Sequence, residues 1–477
     1  MPIPNQTLSI LDPGLGLVEP ATSIAVFLGT SEKGTVSSLY SFSSKQDVVT
    51  TLGQGPLSEA ICYALGESGG PALAMRLTGS VAGTSSAVTK VAVGTSTGTI
   101  TLAGAPFDRY EAIVEITKTG TVGVGEFKYS LDNGLTYSEV LLIPSGGTYA
   151  IPSTNITATF VPGAGAVFFE KGDKHTFTTV APYYGTSDLA AAVTALLAST
   201  VAFDFLVLLG KPANAAGGAT MFAALAAHMT TFETNYRYLR ALMDAGNDTA
   251  ANVMSSLAAQ ASTRIGPVFG DEVLVSGKPF AGFGAPKQSA VVSVAARAAK
   301  VLISTDLGRY ATGPLPGVLS ITHDERQTEL LDQQKITTLR TYQHAQGFYI
   351  TRGRLKGPAG SDFVLWQYGR IMDMACKTAY LAQLQFMLAG VRTNDDGTIF
   401  EADAVTIEAT VKEKLEAVIL QPANAEGRGS HVSAFRYSIG RSNNVNATGT
   451  IVASVAIRPL GYAQFITTTL GFATNLA

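Results

Sequence analysis

This sequence predicts an α/β (α+β) core interrupted by an inserted all-β domain and followed by a C-terminal α+β domain, with extended arms at both ends. Three observations carry that reading. Short apolar strand-like runs alternate with helical stretches from Ser23 to Leu77, and again from Ser187 to Ser304, which is the rhythm of a layered α/β sheet. Between them, from about Gly83 to Thr179, Val, Thr and Gly dominate in alternating runs. Each end of the chain holds a short β-prone run that belongs to neither pattern.

Residues 1–20 hold four prolines around the apolar stretch Leu8 to Leu11, which keeps them out of any sheet or helix interior and predicts an extended arm. The first α/β section, 21–82, reads as strand Ser23–Leu28, a Ser44-capped helix Lys45–Leu52, a helix Leu57–Gly66 and a strand Ala72–Leu77. The inserted domain, 83–182, reads as strands Thr99–Leu102, Ala112–Thr117, Phe127–Ser130, Thr157–Val161 and Thr176–Val180, with Asn133-Gly134 as a hairpin turn. The α/β rhythm resumes over 183–327. It offers a Ser187-capped helix to Ala198, strand Asp204–Leu209, helix Met221–Thr234, strand Tyr238–Met243 and helix Thr249–Ser262. A strand Glu272–Ser276 and a helix Lys287–Ser304 close it. The C-terminal domain, 328–460, reads as helix Glu329–Thr337, strand Gly347–Thr351, helix Asp362–Ala389, helix Ala402–Leu420 and strands Val432–Ile439 and Ile451–Ile457. In helix Ala402–Leu420 the spacing groups Val405, Val411, Leu415 and Val418, with Glu408 and Lys412 paired on the other side. A second arm, 461–477, ends the chain.

Charged residues make up only 14% of the 477 residues, against about 25% in ordinary globular proteins. So sparse a charge suits a surface covered by copies of itself. The net charge of -3 is divided unevenly, -7 before Lys335 and +4 from there on, which favours head-to-tail contact. The two cysteines, Cys62 and Cys376, rule out a disulfide framework and are expected as buried free thiols. Neither a signal peptide nor a run of about 20 apolar residues is visible, which points to synthesis in the cytoplasm and no membrane insertion.

Catalytic and binding constellations are not legible, and no cofactor or metal is expected. The five histidines are scattered without ligand spacing. Ser80, Ser145 and Ser276 adjoin glycines but make no nucleophile elbow. Gly83 to Gly104 lacks the Lys-Ser/Thr ending of a phosphate loop. Gly29 to Gly34 lacks the three-glycine spacing and carries Glu32, which would repel a pyrophosphate. Asp395-Asp396-Gly397 reads as a turn rather than a calcium loop. Arg352, Arg354, Lys356 and Arg370, near Tyr349 and Trp366, outline a stacking platform for nucleic acid, but a chain of negative net charge makes a polar interface the preferred reading.

The stretch SIAVFLGTSEKGTVSSLYSFSSKQDVVTTLGQGPLSEAICYALGESGGPALAMRL gives a strand, Gly29, Gly34, a short helix ending at Leu52-Gly53, a second helix and a strand ending in Arg76. With the β insertion, the stretch GPLPGVLSITHDERQTELLDQQKITTLRTYQHAQGFYITRGRLKG, and the sequence DFVLWQYGRIMDMACKTAY before the closing GYAQFITTTLGF, it resembles the tail sheath proteins of contractile phages and related injection systems. It departs from them at Arg352-Gly353-Arg354, where many members carry two adjacent arginines.

The resemblance implies a structural subunit rather than an enzyme. It implies a homo-oligomer of stacked rings forming a helical polymer around an inner tail tube protein, meeting baseplate and tail terminator proteins. The location implied is the virion tail, assembled in the host cytoplasm. Strand exchange would run through the arms, by Leu8, Ile10 and Leu11 at one end and Phe465, Ile466, Leu470 and Phe472 at the other. Arg352 and Arg354, in the basic stretch Arg340–Lys377, are expected to meet an acidic surface of a neighbour. Two other readings stay open at this point: an α/β enzyme with an unrecognised site, and another phage tail or baseplate component.

Overall fold

The computed structural model describes residues 23–164, 168–274, 287–326, 330–420 and 430–464. The chain enters through strand β1 (Ala25–Gly29), β2 (Leu39–Phe42), helices α1 (Lys45–Leu52) and α2 (Pro56–Ser68), and β3 (Ala72–Arg76). Helix α1 starts where the sequence places it, because the Ser44 hydroxyl accepts from the Gln46 N–H at 3.2 Å. Pro56 suits the first turn of α2, and Gly69 ends it in the left-handed region at φ 64°.

Residues 84–180 then form nine strands: β4 (Thr84–Ser85), β5 (Thr89–Val91), β6 (Thr99–Ala103), β7 (Glu111–Lys118), β8 (Glu126–Ser130), β9 (Leu141–Leu142), β10 (Thr148–Ile151), β11 (Ile156–Val161) and β12 (Lys174–Val180). One sheet runs β10-β11-β6; the other runs β4-β12-β7-β8-β9, with β5 also on β12. Alternation turns Ala112, Val114 and Ile116 inward, onto Phe127, Phe160 and Phe169, whose rings pack 4.8 and 5.6 Å apart. Asn133 and Gly134 both take positive φ, 59° and 86°. They sit inside the long loop 131–140 between β8 and β9 rather than forming a two-residue hairpin, since Asp132 holds that loop by accepting from Thr136 N–H and hydroxyl.

The core resumes with α3 (Thr186–Ala198), β13 (Phe205–Leu208), α4 (Ala215–Thr234), β14 (Arg240–Asp244), α5 (Ala250–Leu257) and β15 (Ile265–Val268). The central sheet runs β15-β14-β13-β1-β3-β2, parallel except for the edge strand β2. Its five parallel strands therefore stand in the order 2-1-3-4-5, with a topological switch between β1 and β13. Phe27, Phe205 and Val207 face a layer that includes α2 and a later helix; Val26, Leu206 and Leu208 face α3, α4 and α5.

Helix α3 corrects one expectation. Its cap is Gly185, whose N–H donates to Asp188 at 2.7 Å, so Ser187 lies inside the first turn. After β16 (Asp271–Leu274) the expected helix from Lys287 is divided: Lys287–Ser289 pairs with β16 as β17, and helix α6 (Ala290–Lys300) follows. The Ser289 hydroxyl caps α6 by accepting from Val291 N–H. Strand β18 (Val318–Ile321) completes this small sheet.

The last section holds α7 (Leu330–Gln333), β19 (Leu339–Arg340), β20 (Tyr349–Ile350), α8 (Trp366–Leu384), α9 (Glu401–Leu415), β21 (Val432–Ile439), α10 (Val445–Thr448) and β22 (Ala453–Pro459). Helix α8 is shorter than the expected Asp362–Ala389. The Ser361 hydroxyl takes the Phe363 N–H and Leu365 is extended at its start, while Leu388 is left-handed beyond its end. Helix α9 buries Ala404, Ile407, Val411 and Leu415, with Ile419 beyond it; Val405 is exposed, so the expected face was rotated. Glu408 binds Arg441 rather than Lys412. Cys62 is buried, its thiol pushed up to about 12, while Cys376 is only half-buried.

Candidate assembly surfaces

The candidate contact residues fall into two sets. Leu8, Ile10, Leu11, Phe465, Ile466, Leu470 and Phe472 lie outside the described residues. Arg352 and Arg354 are described, and both are engaged within their own chain. Arg354 grips Asp332 through two parallel hydrogen bonds of 2.7 and 2.6 Å, and Arg352 reaches the same carboxylate at 2.8 Å. The basic stretch around them is likewise turned inward. Lys356 is buried with its ammonium donating to Gln334 O, Lys377 pairs with Asp204, and Arg340 lies 4.3 Å over the Tyr342 ring. Arg370 is buried, donates to Ala298 O and Ser23, and has its pKa pulled down to about 10 by that burial. Trp366 is fully buried against Phe205, so the stacking platform for nucleic acid does not form.

The root of the C-terminal arm docks on this region. Tyr368 donates to Leu460 O at 3.1 Å, Tyr462 donates to Ser304 O at 2.5 Å, and Arg352 donates to the Gln464 side chain at 2.8 Å. The Ser304 hydroxyl meets His431 at 2.8 Å. Burial, with the Arg370 charge nearby, pushes His431 down to about 4, so this histidine is a neutral partner.

Strands β21 and β22 form a two-stranded antiparallel ribbon. One face turns Phe435, Tyr437 and Ile439 toward α9. The other carries Ala434, Arg436 and Ser438 opposite Arg458, Ala456 and Ser454. Strand β22 is exposed along nearly its whole length, and its outer edge is unpaired among the described residues. Sequence reasoning missed this ribbon as a surface. Its alternation was visible, but only the register brings Arg436 and Arg458 to one face.

A cleft of about 380 Å³ opens at the switch point, beyond the ends of β1 and β13 and under the β strands 84–180. Asp271 receives Arg109 at 3.1 Å and Lys211 at 2.7 Å, while Lys287 pairs with Glu111 at 2.6 Å. These two cations hold the Asp271 carboxyl below its ordinary value despite its burial. The charges thus tie the β layer to the core. Among the described residues no group of three or more His, Cys, Asp or Glu could hold a metal ion, and no helix is long and apolar enough to cross a membrane.

The model of the DUF2586 N-terminal domain matches residues 4–354. No curated protein sequence matches the chain. Among solved structures, a chain of the contracted helical sheath of the anti-feeding prophage is similar with a TM-score of 0.53 and 11% identity, covering 100% of both chains. A chain of the baseplate of the same particle gives a TM-score of 0.54 at 12% identity, again over 100% of both. A sheath tail protein of Listeria innocua gives 0.48 at 12%, over 92% of both. The chain belongs to the DUF2586 family, and its fold is that of contractile sheath chains.

Proposed function

We propose that this protein is the sheath subunit of a contractile injection machine. The carrying observation is the likeness to a contracted helical sheath chain, which runs over the whole of both chains rather than over one shared domain. In this reading, copies stack as rings into a helical polymer around an inner tail tube, between a baseplate and a tail terminator, in a virion tail put together in the host cytoplasm. The arms, through Leu8, Ile10 and Leu11 and through Phe465, Ile466, Leu470 and Phe472, add strands to neighbouring C-terminal sections. The open edge of β22 supports that role, since unpaired ladder groups invite another strand. Contraction turns subunits as rigid bodies while the strand links hold, releasing energy stored in less favourable contacts of the extended array.

Arg352 and Arg354 fit this picture differently from a plain surface patch. Anchored on Asp332, with Arg352 also on Gln464, they brace the place where the C-terminal arm departs. An α/β enzyme is the second reading, favoured only by the cleft at the switch point, whose charges are already paired across it. Electron microscopy of the concentrated full-length protein separates the two. Hollow cylinders support the sheath reading, and small discrete particles under all conditions would overturn it.

A further inference from the structure

The strands between Thr84 and Val180 join the core without a shared apolar interior. Their aromatic cluster has no residue in common with the two clusters around the central sheet, and among the described residues no buried apolar cluster spans both parts. Parts joined in this way move against each other unless polar contacts fix them. The covalent joint consists of two segments lying side by side, 78–82, which is exposed throughout, and 181–183, which is half-buried. Each is fastened to the core side: Ser80 donates to Asp188 at 2.5 Å, and Thr30 donates to Pro182 O at 2.9 Å.

The cleft of about 380 Å³ lies at this joint, its wall running from Pro182 and Tyr183 to Arg109, Glu111, Asp271 and Lys287. Two ion pairs cross it from the β section to the core, Arg109 to Asp271 at 3.1 Å and Glu111 to Lys287 at 2.6 Å. Both core partners stand on the paired strands β16 and β17. The Arg109 and Lys287 side chains are 34% and 32% exposed, so water and salt reach both pairs. Asp271 also holds Lys211 at 2.7 Å and keeps it when Arg109 leaves, so parting the two sides strands no buried charge. We propose that the β section is a hinged lid, turning about segments 78–82 and 181–183, and that the pairs Arg109–Asp271 and Lys287–Glu111 are a salt-sensitive latch holding it closed over the cleft. Lys211, whose side chain is only 18% exposed, is what opening uncovers. The lid stands apart from the sheath reading, since it belongs to the single chain before any assembly.

The test uses full-length protein, diluted below the onset of assembly, as wild type, K287E and K287E/E111K. Acylation of Lys211 by an amine-reactive ester is measured by mass spectrometry relative to the exposed Lys412. The radius of gyration from small-angle scattering and the far-UV circular dichroism spectrum are recorded alongside. In about 0.05 M salt K287E should label Lys211 roughly tenfold faster than wild type and have a larger radius with an unchanged spectrum. The exchanged pair K287E/E111K should return labelling and radius to the wild-type values. Wild type should approach K287E as salt rises to about 0.5 M. Should K287E fail to fold, K287Q replaces it, with a smaller acceleration expected. Labelling or a radius indifferent to the Lys287 substitution overturns the lid, as does the absence of recovery in the exchanged pair. A spectrum that changes together with the labelling also overturns it, because the chain would then be unfolding rather than opening.

Discussion

Asp332 is the residue on which most depends locally. Its carboxylate is buried and takes two arginines, and its own N–H donates to the buried Glu325. Arg352 still reaches the carboxylate when Arg354 is gone, so Arg354→Ala removes two charge-assisted hydrogen bonds rather than the whole compensation and should cost about 2 kcal/mol in denaturant unfolding of the monomer. Arg354→Lys should recover little, because a lysine cannot make both parallel bonds. Composition showed the basic residues here but not their partner, which lies 20 and 22 positions away and becomes a neighbour only through folding. A second residue carries a pH dependence. Glu272 is fully buried, accepts from Gln288 and Ser293, and is pushed by burial from 4.5 up to about 7. The folded state keeps this proton while the unfolded chain releases it near 4.5. The contribution is therefore fully present below about 4.5 and is lost as pH rises to about 7. Glu272→Gln should remove that decline and raise Tm at pH 8, by a contribution on the order of 3 kcal/mol. A variant with the same pH profile as wild type would refute the assignment.

At the scale of elements, the alternation of strands and helices was readable wherever propensity and burial agreed. The buried runs Ala25–Gly29 and Phe205–Leu208 and the capped helix Lys45–Leu52 are such cases. It failed where a side chain took over a backbone group, as Asp188 does before α3 and Ser361 before α8. It also failed where tertiary pairing overrode helix propensity, as at Lys287–Ser289. The face of α9 was misjudged because Val405 looks like its apolar neighbours in sequence, while Ala404 and Ile407 are what the fold buries. The strands between Thr84 and Val180 share an aromatic cluster of their own. Residues 83–182 expressed alone should therefore be soluble and give a β-type circular dichroism spectrum; a helical or unstructured product would refute the division. Acid should unfold this piece early. Among the described residues His175 is buried without a hydrogen-bond partner for either ring nitrogen, and burial holds it at about 4 against an ordinary 6.5. Its neutral form stabilises the fold above about 6.5, and that contribution is lost as pH falls toward 4. His175→Phe should shift the acid midpoint downward.

For the whole molecule, the sparse charge of the sequence is the feature that first suggested the polymer proposed above. The order of the parallel strands and the clustering at the switch point were not legible, since both depend on pairings between residues far apart in the chain. Assembly gives the decisive test at this scale. Ends of a chain are usually dispensable to folding, so removing 1–20 should leave a monomer of nearly unchanged Tm that no longer sediments as polymer; removing the segment after Gly461, which takes away the Tyr462 and Gln464 bonds, should lower Tm slightly with the same loss of polymer. Loss of folding, or polymer at the wild-type yield, would count against strand exchange. One further consequence lies in the pairing of Val81 with Tyr183, whose backbones exchange hydrogen bonds of 2.9 Å in both directions. The core closes across that pair as it would across a tight turn, whatever length of chain intervenes, because loop closure costs only slowly more as a loop lengthens. A foreign module whose own ends lie close together can be spliced there, and a polymer of such subunits would carry its cargo once per protomer, at a spacing dictated by the lattice.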